Sequence, residues 1–150
     1  MSKWSDPQES ERLSNAESCP VCLRGKPRDA VAELDASFLL AGEDGPMGGY
    51  CFLLLKRHAV ELYELPPEEA NAFMRDIQRA SKAVQGVTGA VKLNYEIHGN
   101  TIPHLHMHLF PRYVGDEFEN QPIDPRKVKA KVYGPREFVV FAERLRKMVK

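Results

Sequence analysis

Three of the five histidines in this chain lie in one five-residue window, where His104, His106 and His108 alternate with Leu105 and Met107. Successive side chains of a β-strand point to opposite faces, so the alternation predicts three imidazoles on one face and apolar side chains on the other. At roughly 3.3 Å per residue, neighbouring imidazoles would be rooted about 6.6 Å apart, a gap that one phosphate group can bridge. The segment therefore predicts a strand that carries nucleophiles, proton carriers or metal ligands.

The length and the charge balance narrow the class of protein. A chain of 150 residues predicts one domain with a sizeable core. Lys and Arg number 21 and Asp and Glu number 21, so the net charge of zero argues against a broad electrostatic grip on nucleic acid or on a membrane surface. The sequence has no apolar run near the ~20 residues of a membrane span and no apolar signal region at its start, so a cytoplasmic location is expected.

The hydrophobic pattern predicts an α+β fold with an antiparallel sheet of about five strands, one central helix and a C-terminal helix. Besides the histidine strand, which Pro111 is expected to end, strands are predicted over residues 30–35, 38–41, 50–56 and 91–97. Pro66 and Pro67 suit the first turn of the central helix. The apolar stripe of that helix is predicted to comprise Ala70, Phe73, Met74, Ile77, Ala80 and Val84. The terminal helix, over 135–150, should place Phe138, Phe141, Leu145 and Met148 on one side.

Three roles are open to such a histidine face. Two histidines at positions i and i+2 of a strand can chelate zinc, with further ligands from elsewhere in the chain. A neutral imidazole can instead attack a phosphorus or acyl centre while neighbouring groups stabilise the developing charge. The histidines could also simply pack on the sheet, although three in register make this reading the weakest.

The order of residues from His104 to Phe110 resembles the signature of the histidine triad (HIT) family of nucleotide hydrolases and transferases. That signature alternates three histidines with apolar residues and ends on two apolar positions, and all seven positions agree here. The resemblance covers residues 19–112. It implies a HIT-like fold, with residues 1–18 as an N-terminal extension and residues 113–150 as a C-terminal segment packed on the same domain.

The resemblance also implies a covalent mechanism. His106 would attack an α-phosphorus to give a nucleotidyl-histidine, with its other ring nitrogen held by a backbone carbonyl. His108 would contact the phosphate oxygens and help proton transfer to the leaving group. Asn94, Asn100 and Thr101 stand where the family places polar contacts to the nucleotide, although many members carry glutamine at the position of Asn100. His98 alternates onto the face of Asn94 and could either border the pocket or face solvent.

The pair Cys19 and Cys22 has the spacing of a metal clip or of a redox pair, and the odd total of three cysteines argues against a disulfide framework. In the zinc-bearing branch of the family, the positions of His58 and His104 join the two cysteines in a structural zinc site. The resemblance therefore implies one structural zinc and no catalytic metal. Two reduced cysteines in a knuckle and a thioredoxin-like pair are the alternatives.

The function predicted from these observations is cleavage at the α-phosphate of an AMP-type conjugate, either a dinucleoside polyphosphate or a nucleoside phosphoramidate. The expected partner is a small nucleotide, with no nucleic acid and no membrane, and the family resemblance implies a homodimer. The alternative is a nucleotide-binding or zinc-binding regulatory module without turnover.

Overall fold

A computed structural model describes residues 6–124, 126–128 and 132–150, so the predicted N-terminal extension is described only from residue 6. Five antiparallel strands form one sheet in the order β1-β2-β3-β5-β4. The strands are β1 (Ala32–Glu33), β2 (Ser37–Ala41), β3 (Cys51–Leu55), β4 (Lys92–Glu96) and β5 (His106–Arg112). The helices are α1 (Pro7–Ser14), α2 (Pro20–Arg24), α3 (Pro67–Thr88) and α4 (Glu137–Met148). The predicted α+β fold is confirmed.

The centre of the sheet is the pairing of β3 with β5. Leu54 lies opposite His106 and Phe52 lies opposite His108, so these four side chains share one face. The alternate residues of the two strands pack on the main core on the other face, and Leu53 and Leu109 are fully buried there. The sheet therefore presents its two strand histidines on the side away from the main core.

The prediction that Pro111 ends the histidine strand is wrong, since β5 includes Pro111 and ends at Arg112. The ladder with β3 stops at Cys51 opposite Leu109, and Pro111 pairs only with Leu93 of β4. A proline can occupy this position because β3 no longer requires a backbone donor beside it.

Helix α3 covers the core face of the sheet with the buried side chains of Phe73, Ile77, Ala80 and Val84, and α4 adds Phe141 and Leu145 to the same core. The predicted burial is wrong for two residues of these stripes, since Met74 is 50% exposed and Met148 is 55% exposed. About half of each residue faces solvent, so each lies at the margin of its apolar stripe.

A carboxylate tethers α3 to the start of β2. The side chain of Asp76 is buried, and it accepts hydrogen bonds from the backbone N–H groups of Asp35 and Ala36 and from the hydroxyl of Ser37 at 2.7–3.1 Å. The buried charge is thus compensated by three donors, as burial of an ionised group requires.

Arg112 ties the segment after β5 to the sheet. Its guanidinium makes a bidentate pair with Asp116 at 2.8 and 2.9 Å and also donates to the side chain of Asn94 and to the backbone oxygens of Phe118 and Gln121. The Arg112 hydrogen bond is the main reason why the pKa of Asp116 is lowered to about 2. Only 7% of the Asp116 side chain is exposed, so solvent screens the pair weakly.

The Asp116→Asn variant should be less stable than the wild type by about 3 kcal/mol at neutral pH, because it leaves the Arg112 charge buried without its partner. The pKa of Asp116 is lower in the folded than in the unfolded state. The stabilisation is therefore complete above about pH 4 and is lost as the pH falls towards 2, in total about 2 kcal/mol. Urea unfolding at several pH values measures both effects.

The matched control is Glu143→Gln, which removes an exposed carboxylate from α4 and should change the free energy of unfolding by less than about 0.5 kcal/mol. If Asp116→Asn unfolds with the same pH dependence as the wild type between pH 4 and 2, the assigned stabilisation is wrong.

In the described part of the chain, no helix combines the length and the apolar character needed to cross a bilayer.

Candidate functional site

Four side chains meet beside α2: Cys19, Cys22, His58 and His104. One ligand atom from each lies within 4.8 Å of the others. The Sγ of Cys19 is 3.5 Å from Nδ1 of His104, and the Sγ of Cys22 is 3.4 Å from Nδ1 of His58 and 3.6 Å from Nδ1 of His104. Residues separated by up to 85 positions in the sequence thus form one Cys₂His₂ cluster.

Backbone carbonyls orient both imidazoles of this cluster. Nε2 of His58 lies 2.7 Å from the carbonyl oxygen of Ser14, and Nε2 of His104 lies 2.8 Å from that of Leu55. A carbonyl oxygen only accepts, so each Nε2 carries the proton and each Nδ1 directs a lone pair at the sulfurs. This is the arrangement that second-shell groups impose on histidines that bind a metal.

The donor set fits zinc. Tetrahedral bonds of about 2.3 Å to sulfur and 2.0–2.1 Å to nitrogen place a sulfur and a nitrogen ligand roughly 3.5 Å apart, which matches the three distances above. Without a cation, burial and the neighbouring Cys19 raise the pKa of Cys22 to about 11, and burial lowers the pKa of His104. Once the thiols have lost their protons, two thiolates and two imidazoles in close contact offer the sulfur and nitrogen donors that zinc prefers.

The other two triad histidines line a separate cavity of about 650 Å³. His106 and His108 share it with an apolar floor that includes Leu40, Phe52 and Leu54, and Arg24, Lys26 and Arg28 lie on its rim. Phe52 and Leu54 contribute to the floor because they are the register partners of the two histidines. The cavity therefore combines an apolar surface, two imidazoles and a basic edge.

His104 does not join this cavity, so the expectation that three imidazoles share one face towards one cleft is correct only for His106 and His108. The ladder between β3 and β5 begins at His106, and the ring of His104 turns to the cysteines and is 1% exposed. The ring centroids of His106 and His108 are 4.7 Å apart.

Hydrogen bonds fix the ring of His106. Its Nδ1 lies 2.6 Å from the carbonyl oxygen of His104, so Nδ1 must be the protonated nitrogen. In the neutral form of the ring, the free lone pair therefore lies on Nε2. His104 consequently serves both sites, since its side chain belongs to the cysteine cluster and its carbonyl orients the next triad ring.

The ring of His108 is held by a side chain outside its own strand. Its Nδ1 is 2.7 Å from the hydroxyl of Tyr50, which lies just before β3. Burial, followed by the charges of His106 and His98, lowers the pKa of His108 to about 4, and burial raises the pKa of Tyr50 to about 12. Both groups are therefore neutral at physiological pH.

Of the predicted nucleotide contacts, His108 lines this cavity, whereas Asn94, Asn100 and Thr101 are not among its lining residues. Asn94 accepts a hydrogen bond from Arg112 at 2.7 Å, and Asn100 and Thr101 are exposed in the turn between β4 and β5. His98 borders a second cavity of about 490 Å³ that it shares with His108, and its Nε2 is 2.8 Å from a carboxylate oxygen of Glu96.

Sequence reasoning missed Tyr50, Phe52 and the carbonyl groups of Ser14 and Leu55. Tyr50 and Phe52 had a signal, because they alternate on the strand that pairs with the histidine strand. The carbonyl groups had none, since every residue carries one and only the folded chain decides which of them meets an imidazole.

The comparisons with known proteins agree with the fold. The sequence model of the HIT domain family matches residues 24–115 of this chain. A histidine triad protein from Bradyrhizobium japonicum is 28% identical, with a TM-score of 0.71 over 81% of this chain and 90% of that one. A histidine triad protein from Sinorhizobium meliloti is 22% identical, with a TM-score of 0.69 over 89% of this chain and 99% of that one.

A zinc-bound histidine triad family protein from Mycobacterium smegmatis is 23% identical, with a TM-score of 0.64 over 90% of this chain and 95% of that one. The match to the HIT domain spans more than half of the 150 residues and includes the whole alternating histidine segment. The chain belongs to the HIT domain family, which generally comprises nucleotide-binding hydrolases and transferases.

Proposed function

We propose that this protein is a nucleotidyl hydrolase or transferase that cleaves AMP-type conjugates at the α-phosphate through a covalent intermediate on His106. The observation that carries the proposal is the 2.6 Å hydrogen bond between Nδ1 of His106 and the carbonyl of His104. It leaves the lone pair of Nε2 free in a cavity large enough for a nucleotide. The substrate is either a dinucleoside polyphosphate or a nucleoside phosphoramidate.

The reaction proceeds in two displacements. Nε2 of His106 donates its electron pair to the α-phosphorus to form a P–N bond, and the bond from phosphorus to the bridging oxygen or nitrogen breaks with its electron pair on the leaving group. The ring becomes a cation, and its Nδ1–H remains bonded to the carbonyl of His104, which stabilises that charge. Water or another acceptor then attacks phosphorus and passes its proton to the departed leaving group or to solvent, the P–N bond breaks, and the electron pair returns to Nε2.

Other residues of the cavity position the substrate. His108 contacts the phosphoryl oxygens and assists departure of the leaving group, and the apolar floor receives the nucleoside. Asn94, Asn100 and Thr101 remain proposed nucleotide contacts, although in this structure Asn94 is bonded to Arg112 and the other two are exposed. A catalytic metal is not part of the proposal.

We also propose that Cys19, Cys22, His58 and His104 hold one structural zinc ion, which places the chain in the zinc-bearing branch of the family. The support is the fit of the four donors and the similarity to the zinc-bound protein from Mycobacterium smegmatis. When bound, the ion would cross-link α2 to the segment after β3 and to the residues that precede β5.

The wider organisation follows the same resemblance. We propose residues 19–112 as the HIT domain, with residues 1–18 and 113–150 as extensions on it. We propose a cytoplasmic homodimer that binds small nucleotides and neither nucleic acid nor membrane.

Trapping the intermediate tests the function. The protein is incubated with a diadenosine polyphosphate or with an AMP phosphoramidate, quenched in base because phosphohistidines are acid-labile, and digested for mass spectrometry. An AMP adduct on the peptide that contains His106 is expected. AMP binding without an adduct and without turnover would instead favour a regulatory module. The observation that supports such a module is the Cys₂His₂ cluster.

A further inference from the structure

Tyr50 has no role in the mechanism above, yet the loop before β3 is built around its ring. A Cβ atom added at Gly45 would lie 2.5 Å from Cδ1 of Tyr50, and one added at Gly42 would lie 2.9 Å from the same atom. The ring also stacks on Phe110 with centroids 5.1 Å apart. Two glycines and an aromatic neighbour therefore set the position of the Tyr50 hydroxyl.

That hydroxyl decides which nitrogen of His108 carries the proton. The Oη of Tyr50 lies 2.7 Å from Nδ1 of His108, and no other partner of this hydroxyl is found among the described residues. A half-buried O–H needs an acceptor, and a phenol oxygen donates better than it accepts. Tyr50 therefore donates to Nδ1, and the proton of the neutral His108 ring resides on Nε2.

We propose that Tyr50 is a positioning residue that fixes His108 as a neutral imidazole with its Nε2–H directed at the phosphoryl oxygens of the substrate. The inference rests on the proposed function, and it narrows the role of His108 to a hydrogen-bond donor that does not act as a cationic acid. His106 and His108 are then held in opposite tautomers. One ring offers a lone pair to phosphorus, and its neighbour offers an N–H to the oxygens of the same phosphate.

This arrangement has a chemical reason. Rings whose centroids are 4.7 Å apart would repel each other if both were protonated, and a proton on Nε2 of His106 would remove the nucleophile. A donor on Nδ1 of His108 stabilises the neutral form of that ring and so keeps a second positive charge out of the cavity. The hydroxyl of Tyr50 thereby protects the nucleophile while it aims the donor.

The other ionisable groups around His108 come from four parts of the chain, one of which is the segment 24–29, whose Arg24, Lys26, Arg28 and Asp29 line the larger cavity with His108. His106 lies on the same strand, and His98 follows β4 with its Nε2 bonded to Glu96. Glu43 and Asp44 lie on the loop before β3 and line the same cavity as His108. Burial, and then the charges of His106 and His98, lower the pKa of His108, and the hydroxyl of Tyr50 acts in the same direction by stabilising the neutral ring.

Nitrogen NMR of the histidine side chains tests the assignment without using activity. In the wild type, the His108 signals, identified by their loss in His108→Gln, should show a protonated Nε2 and an unprotonated Nδ1 at pH 7. In Tyr50→Phe, which removes the hydroxyl and keeps the ring, the protonation midpoint of His108 should rise by about one pH unit, corresponding to the loss of one net hydrogen bond. The control Tyr95→Phe alters an exposed tyrosine of β4 and should leave the His108 signals unchanged.

Kinetics give the second readout. Tyr50→Phe should lower kcat by roughly tenfold with KM changed by less than about twofold, because one positioned donor to the transition state is lost. A wild-type His108 with its proton on Nδ1, or a Tyr50→Phe protein with an unchanged midpoint and unchanged kcat, would overturn the proposal. If the expected NMR shift occurs in a protein that turns over no nucleotide, the positioning role stands and the proposed function fails.

Discussion

The His106→Ala variant is expected to lose at least about a thousandfold in turnover of an AMP conjugate and to form no nucleotidyl adduct. The free Nε2 lone pair of His106 is the nucleophile in the proposed reaction, and His104 cannot replace it because its ring is buried in the cysteine cluster. His108 cannot replace it either, because its Nδ1 accepts the hydrogen bond of Tyr50 and, in the proposed tautomer, its Nε2 carries the proton. The measurement is steady-state release of AMP together with base-quenched mass spectrometry.

The matched control is His98→Ala, which removes an exposed histidine that borders the neighbouring cavity and lies near His108 without belonging to the proposed reaction. It should retain turnover within about tenfold of the wild type and should still form the adduct. Urea unfolding must show that both variants are folded. If folded His106→Ala retains turnover within tenfold, the covalent mechanism is wrong whatever the substrate.

The sheet, and the strand of it that carries the reactive histidines, could be predicted from the sequence because their signals are local. Alternation of histidine with apolar residues determines the faces of β5, and helical spacing determines which side of α3 is buried. The exact extent of β5 could not be predicted in the same way. Whether Pro111 lies inside the strand, and whether His104 lies outside the ladder, depends on where β3 ends, and that is a long-range property.

The roles of individual polar side chains were predictable only where the resemblance supplied the partners. The resemblance brought His58 and His104 to the two cysteines, and the structure places all four together. The same reasoning did not foresee that Arg112 would bond Asn94, nor that Asp76 would be buried on the apolar stripe of α3. Such contacts depend on which donors and acceptors the folded chain brings within 3 Å, and composition carries no information about that.

The second large effect is expected for the cysteine cluster. Protein purified in the presence of zinc should contain about one zinc ion per chain, and Cys22→Ser should contain much less, because loss of one thiolate leaves three ligands for a structural site that needs four. A ligand that binds only the folded state at a thousand times its Kd stabilises that state by about 4 kcal/mol, so the variant or the chelated wild type should melt roughly 10 °C lower. Metal analysis and thermal unfolding measure the two quantities.

Cys51→Ala is the matched control, since it removes the third thiol from the buried end of β3, outside the cluster. It should lose some stability through its cavity and yet keep its zinc and its response to chelator. Loss of zinc should also slow catalysis, because the imidazole of His104 would be a zinc ligand while its carbonyl orients His106. A Cys22→Ser protein that retains one equivalent of zinc, or a wild type whose melting temperature is unaffected by chelation, would rule out a structural metal at this cluster.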